Sequence, residues 1–571
     1  MAVRRTPFLP LLAALVALGT AAGCGGSPAP SATRTVGSDP APAIFRQYSA
    51  PGPVAKIRRP IAGTYVTGAL RAPGGPFLRD RFGRAIILHG VNAVEKNPPY
   101  ELTVTPGLAN SFTAGDARQI ASLGFDVVRL GILWQGLEPG TLGPNDPAIC
   151  TPGPPGDPHM YDAATVRSYL AQVGRVVDLL GRFHVYTLLD MHQDVYNQVF
   201  RGEGAPAWAV CSNGLPLTAL GGRWSRNYRN PALDVAVAHF WSNDVVGNLQ
   251  GQYDAVWGAV ARYFSANPWI VGYDPYNEPF ERETTLDGSQ VFATLLQCFY
   301  GGRAHPGRLD NTDAPLTCPA GDPAEGVVPT IEAADRHHLV FIEPDIYSTR
   351  GRPNLLGPMP YPRLVLNFHA YCGTRSPVTG NPTNVDACSA QIFTSMLRRT
   401  GERAAMGTSY QPGGPPLFLS EFGATSSSAL LGQVTHNADL FGLGWTYWTW
   451  KSYADPTGSA DEALASPTGQ LAPTAVVLGG PYAQAVAGTP VSSSFDASSG
   501  VYQLVYVPVR SRAPTVVYLP VARQYPGGYC TTVAGGRVLS APRSIRLLLT
   551  ADSGARQVDV TVTPGRCHTA R

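Results

Sequence analysis

Trp269-Ile270-Val271-Gly272-Tyr273-Asp274-Pro275-Tyr276-Asn277-Glu278-Pro279 is the stretch on which the reading of this chain turns. An apolar, strand-like run ends near Pro275, and a glutamate follows in the turn beyond it. The same pattern returns in Pro416-Leu417-Phe418-Leu419-Ser420-Glu421-Phe422-Gly423. A carboxylate just past a buried strand belongs to the architecture in which βα loops converge at one end of a closed barrel.

Outward from these two runs, strand-type segments occur at 85–90, 127–131, 185–190, 270–277, 339–343, 364–369, 417–421 and 443–450. Helix spacing occupies 114–123, 163–182, 253–264, 289–300, 331–336, 389–403 and 429–440. This alternation predicts an α/β fold, a (β/α)8 TIM barrel over residues 61–472. Residues 77–80 and 84–88 flank Arg81-Phe82-Gly83 as a hairpin or first strand. The segment 195–250 is too long for an ordinary connection and carries Trp208, Trp224, Phe240 and Trp241, which predicts a wall or lid at the barrel mouth. Past Pro473 the runs 502–509, 515–519, 544–549 and 557–562 are spaced by Gly, Pro and Ser, predicting a C-terminal antiparallel β-sandwich over 473–571.

With 571 residues, 44% of them hydrophobic, the chain has material for a large core and a second domain. Only 15% are charged and the net charge is +3, so there is no basic field to gather nucleic acid. The N-terminus reads Arg4-Arg5, an apolar run over 8–18, then Ala21-Ala22-Gly23-Cys24: a signal peptide over 1–23. Its ending resembles a bacterial lipobox, which implies acylation of Cys24 and a membrane-anchored lipoprotein; simple secretion with cleavage near Ala22 is the alternative. Residues 24–60, rich in Pro, Ser and Ala, are expected to form a disordered tether.

Nine cysteines are present, and acylation of Cys24 would leave eight, which an exported protein can keep as disulfides. Roughly a hundred pairings are open to eight cysteines, so the count does not fix the connectivity. Neighbours in sequence are Cys298 with Cys318, Cys372 with Cys388 and Cys530 with Cys567, which leaves Cys150 with Cys211. No closely spaced Cys/His set suggests a metal, and no phosphate-binding glycine loop suggests a nucleotide, so no cofactor is expected.

Two strand-end carboxylates suit the hydrolysis of a glycoside with retention, in which one acid protonates the leaving oxygen and a second carboxylate about 5 Å away attacks the anomeric carbon. Glu278 and Glu421 are the candidates. Glu343, in Phe341-Ile342-Glu343-Pro344, is a third strand-end carboxylate to be excluded. An amide beside the acid, as at Asn277, can bond the sugar 2-OH.

These residues, with His89-Gly90-Val91-Asn92-Ala93-Val94-Glu95-Lys96-Asn97-Pro98-Pro99-Tyr100, Leu189-Asp190-Met191-His192-Gln193-Asp194-Val195-Tyr196, Gly204-Ala205-Pro206-Ala207-Trp208 and Tyr276-Asn277-Glu278-Pro279-Phe280, resemble glycoside hydrolase family 5, and within it the endoglycoceramidases. The resemblance implies Glu278 as acid/base, Glu421 as nucleophile, and Asn277 on the 2-OH. It implies Arg129 as the arginine that keeps the nucleophile ionised, His369 and Tyr371 beside it, and Trp448 as an aromatic floor, with Trp450 taking that place if the strand register slips. Lys96, His192 and Asp194 match positions that bond sugar hydroxyls; Trp208 and Phe280 match positions lining the site. Glu95 and Asn97 depart from the family pattern. Lys96 and Asp194 are expected outside the barrel core.

The implied activity is cleavage between oligosaccharide and ceramide in glycosphingolipids, by a monomer with a polar, aromatic sugar side and an apolar outlet for lipid. Alternatives are a related family 5 β-glucosidase, a cellulase-type enzyme or a steryl or ceramide monoglycoside hydrolase. A glycan-binding surface lipoprotein on a dead barrel is the non-enzymatic alternative.

Overall fold

The computed structural model describes residues 46–48, 61–157, 160–282, 286–301, 318, 326–376 and 378–567. Eight parallel strands close into a barrel: β1 (His89–Ala93), β2 (Val127–Ile132), β3 (Tyr186–Met191), β4 (Ile270–Asp274), β5 (Leu339–Ile342), β6 (Leu364–Ala370), β7 (Leu417–Gly423) and β8 (Gly444–Trp448), each paired with its sequence neighbours and β8 with β1. Every residue in them is buried, because helices cover one face and the barrel interior the other. The helices begin where side-chain caps satisfy their first amides: Thr113 and Asp116 form a capping box for Ala114–Ser122, and Asp162 caps Ala163–Arg182. In the latter helix Val166, Leu170, Val173, Val177 and Leu180 make one buried stripe.

After the barrel come two antiparallel sheets, ordered Arg46–Tyr48, Tyr529–Ala534, Val558–Pro564, Val501–Pro508, Gly488–Asp496 and Gly536–Val538, Arg546–Ala551, Thr515–Tyr518, Tyr482–Val486, Ala85–Ile86, Leu78–Arg79. They share a core of Tyr502, Leu504, Val517, Leu547, Leu549, Val560 and Val562, which makes the expected sandwich.

Two expectations need correction. The run at 85–90 is not one strand: Ala85–Ile86 pairs with Ala485 and Val486 in the sandwich, and the barrel strand begins only at His89. Ile87 and Leu88 bridge the two sheets, bonding to Gln484 and Trp445, so an unbroken apolar run serves two cores. Arg46–Tyr48, inside the supposed tether, is an edge strand on Thr531–Val533. Edge pairing uses backbone groups alone and needs no apolar signature in the added strand.

The long connection after β3 contains the helix Pro231–Ser242, which sequence reading passed over. Its buried residues Ala232, Leu233, Ala236, Val237, Phe240 and Trp241 form one face, but Val235 and Ala238 on the other face are apolar too, so no clean polar face marks its period. All four disulfides are formed: Cys150–Cys211, Cys298–Cys318, Cys372–Cys388 and Cys530–Cys567. Among the described residues no helix is long and apolar enough to cross a membrane.

Candidate active site

Arg129, on β2, organises the carboxyl ends of the strands. Its guanidinium, fully buried, donates to Asp274 at 3.0 Å, Asn92 at 3.2 Å, Glu421 at 2.6 Å, Asp190 at 2.9 Å and Asn277 at 2.8 Å. Burial opposes its charge, but Asp190, Asp274 and Glu421 outweigh that and raise its pKa further. Asn367 on β6 joins through Asp274 at 2.7 Å. A single cation thus ties β1, β3, β4 and β7 at one depth and aims the β7 glutamate into the mouth.

Glu421 receives a second hydrogen bond from the Tyr371 hydroxyl at 3.1 Å. Glu278 lies across from it, in a left-handed turn with φ +43° that β4 enters after Asp274. The turn is pinned on both sides. Gln193 Nε2 donates to the Asn277 and Glu278 carbonyls at 2.8 and 3.2 Å, while Asn277 Nδ2 returns a bond to the Gln193 carbonyl at 2.9 Å. The Glu278 amide donates to Glu343 Oε2 at 3.0 Å. His369 Nδ1 sits 2.8 Å from Glu278 Oε1 and 3.4 Å from Glu421 Oε2. Oxygens of the two glutamates and the His369 nitrogen all lie within 4.8 Å of one another.

Burial raises both carboxyls, and only Glu421 has a cation bonded to it. Burial, with Asp194 nearby, pushes Glu278 up to about 8. Burial also raises Glu421, to about 7, against the pull of His369 and Arg129. Since burial pushes His369 itself down to about 3, the ring is neutral, and the charge that offsets burial at Glu421 is that of Arg129. Glu343 is wholly buried and burial raises its pKa well above the carboxylate range. It supports the Glu278 backbone and does not reach the mouth.

A second network stands beside the first. Lys96 is buried, its ammonium 2.5 Å from Asp194, 3.1 Å from Asp455, 3.4 Å from Glu203 and 2.6 Å from the Thr457 hydroxyl. Burial works against its charge, but Asp194, Asp455 and Glu203 raise its pKa well above the usual value. The ammonium lies 4.6 Å from the Trp448 ring centre, and His192 stacks on the same ring at 5.2 Å. His192 is held by Asp190 at 2.7 Å. The expectation that Lys96 and Asp194 lie outside the core is therefore wrong: both are buried, and three carboxylates depend on the ammonium. A cluster of His192, Asp194 and Glu203 close enough to suggest a metal site surrounds this ammonium.

Trp448 packs among Val94, Leu133 and Ala424 beside the Lys96 network, whereas Trp450 points away and donates to Asp116 at 3.0 Å. Trp208 is fully buried, its ring edge-on to Trp134 at 5.2 Å and its N–H on the Glu138 carbonyl at 3.0 Å, so it packs the wall from behind and does not line the site. Phe280 is buried against Tyr228 at 4.8 Å. Asp190 and Asp274 were missed as site residues although both end strands inside quoted motifs; Glu203, Asp455 and Thr457 lie on loops with no such mark.

A model of the cellulase family, glycosyl hydrolase family 5, matches residues 99–454, and one of the glycoside hydrolase family 5 C-terminal domain matches 481–563. Endoglycoceramidase I of Rhodococcus hoagii (strain 103S) is 28% identical over 515 residues, 86% of this chain and 88% of its own. Endoglycoceramidase of Hydra vulgaris is 26% identical over 487 residues, 80% and 81% of the two chains. The structure of endo-glycoceramidase II from a Rhodococcus species, solved as a lactosyl-enzyme intermediate, is 25% identical with a TM-score of 0.63, covering 86% of this chain and 100% of that one.

Proposed function

The chain belongs to glycosyl hydrolase family 5, and from that premise we propose that it is a retaining endo-β-glycosidase cutting the bond between oligosaccharide and ceramide in glycosphingolipids. The observation that carries the reading is the carboxyl pair, with oxygens within 4.8 Å and a cation on one member only. Such spacing leaves no room for a water between carboxylate and sugar, as an inverting reaction needs, and suits direct attack. Glu421, bonded to Arg129 and Tyr371, attacks the anomeric carbon. Glu278, which burial keeps protonated at neutral pH, gives its proton to the departing ceramide oxygen. It then takes a proton from the water that hydrolyses the glycosyl-enzyme. His192, Lys96, Asp194 and the Trp448 ring flank the pair on the side assigned to the sugar, with one Asn277 amide hydrogen left for the 2-OH. The likeness to endoglycoceramidases supports ceramide as the leaving group.

The test is product analysis on gangliosides, neutral glycosphingolipids and cello-oligosaccharides. Intact oligosaccharide plus ceramide in one cut is expected. Stepwise removal of single sugars would exclude endo action, and preference for cello-oligosaccharides would exclude the substrate. Glu421→Gln should abolish turnover of every substrate, while Glu278→Ala should spare aryl glycosides with good leaving groups; equal loss on both substrate types would count against the roles.

Export follows the same reading. Four disulfides fit an oxidising compartment. Cys24, outside the described residues, is assigned as the acylated residue, so Cys24→Ser should move active protein from the detergent phase to the aqueous phase, and wild type already in the aqueous phase would refute the anchor.

A further inference from the structure

Glu343 is a carboxyl beside the reacting pair to which the proposed reaction gives no task. It follows β5, between the Glu278 turn after β4 and His369 on β6, and it is wholly buried. Among the described residues no lysine or arginine stands within ion-pairing distance of it. Tyr300 fixes its backbone, accepting from the Glu343 amide at 3.1 Å and donating to its carbonyl at 2.9 Å. Of the two carboxyl oxygens, Oε2 accepts from the Glu278 amide at 3.0 Å, while Oε1 faces His369 Nε2 at 3.4 Å. Neither Oε1 nor that nitrogen has another partner, and both are shut off from solvent.

Two buried acceptors that face each other bare repel, and buried polar atoms are paired as a rule, so one proton lies between them. It belongs either to Glu343 or to His369. The imidazole is neutral and carries a single proton, which leaves its other nitrogen an acceptor. Nδ1 decides the choice, because it lies 2.8 Å from Glu278 Oε1 and 3.4 Å from Glu421 Oε2. A bare Nδ1 would turn its lone pair toward the attacking carboxylate of Glu421, and would draw the Glu278 proton onto Oε1 against the ring. With its hydrogen on Nδ1 the ring donates to Glu278 Oε1 and meets Glu421 with a positive edge. Glu278 Oε2, to which no described residue donates, is then left to carry the proton of the acid. Nε2 becomes the acceptor, and the proton facing it sits on Glu343. Burial keeps it there, Asp274 and Glu278 act in the same direction, and Arg129 acts against them.

We propose that Glu343 is a positioning residue that keeps its own proton, donates it to His369 Nε2, and so locks the imidazole hydrogen onto Nδ1, leaving the acid proton on Glu278 Oε2 for the glycosidic oxygen. The proton given to the leaving group comes from Oε2, and the one taken from water returns to it; those on Nδ1 and Glu343 stay in place. The consequence for catalysis rests on the glycosidase reading, whereas the tautomer of His369 does not.

The experiment compares wild type, Glu343→Gln and Glu343→Leu on lactosylceramide and on dinitrophenyl β-lactoside, whose leaving group needs no acid. Glu343→Gln preserves the pattern, since the Glu278 amide commits the side-chain oxygen and the NH2 group must then face His369 Nε2. Its kcat on lactosylceramide should stay within about threefold of wild type. Glu343→Leu removes the donor and should lose about tenfold or more on lactosylceramide and much less on the aryl lactoside. Nitrogen NMR of the full chain labelled in histidine should show His369, identified by its loss in His369→Asn, with a protonated Nδ1 and a bare Nε2 in wild type and Glu343→Gln alike. A protonated Nε2 in wild type overturns the proposal. So does a fall of Glu343→Gln to the level of Glu343→Leu, or an equal loss of both substrates in Glu343→Leu, which would make Glu343 a support of the fold alone. If wild type cleaves neither substrate, the glycosidase reading has failed and the NMR signal decides the tautomer by itself. Should Glu343→Leu fail to fold, wild type against Glu343→Gln still carries the test.

Discussion

Glu278 is a carboxyl that the protein buries before it is used, and the cost of that burial depends on pH. Its folded value of about 8 lies above the ordinary 4.5, so the stability it allows is fully present below the ordinary value and is lost as pH rises through the folded one. Glu278→Gln cannot ionise. Its melting temperature should exceed that of wild type by a gap that widens from pH 5 to pH 8 and then levels off; a constant gap would mean that Glu278 is ionised in the folded enzyme. Lys96 is the opposite case, a cation on which buried acids depend. Removing one partner of a buried ionic cluster costs about 3–5 kcal/mol, so Lys96→Ala should lower the denaturant midpoint sharply. Asp194→Ala, which leaves Lys96 its bond to Asp455, should cost less, and a reversed order in urea titrations would contradict the network. Motif resemblance picks out Lys96 but not its burial, because Asp455 and Glu203 come from loops distant in sequence.

At the scale of elements, legibility follows burial geometry. The strands β1 to β8 are buried along their whole length and mostly apolar, with polar residues gathered toward their carboxyl ends, and so seven of the eight were placed directly. The eighth, β1, was blurred because Ile87 and Leu88 continue its apolar run into another sheet. Pro231–Ser242 was invisible for the same kind of reason, having apolar residues on both faces. That helix and the turns before it form the wall in which Trp208 is packed, and Cys150–Cys211 pins the wall to the preceding loop. Replacing both cysteines by serine should cost about 2–4 kcal/mol in urea unfolding and open residues 212–230 to protease, with catalysis retained under mild conditions. Unchanged stability and cleavage would show that aromatic packing alone holds the wall.

Over the whole molecule, the sandwich closes the end of the barrel away from the glutamates. Val127, Leu188, Val271, Phe341 and Phe418 share one core with Ala485, Val516 and Leu548. The carbonyl of Gly124 accepts from Tyr482 at 2.7 Å, and the Tyr518 ring fills the place its Cβ would take, at 2.4 Å, where φ is +86°. Gly124→Ala should therefore lower the stability of barrel and sandwich together in a single calorimetric transition; two separated transitions would show that they fold independently. The sequence alone determined the barrel, the sandwich, the two strand-end glutamates and Arg129, because periodicity and strand-end position are local properties and the motifs around them are long. Only the tertiary structure decided that Trp448 and not Trp450 stands beside Lys96 and His192, that Trp208 stands behind the wall, and that Lys96 is buried. Each of these depends on side chains brought together across loops after different strands, where neither spacing nor residue type records which way a group will face.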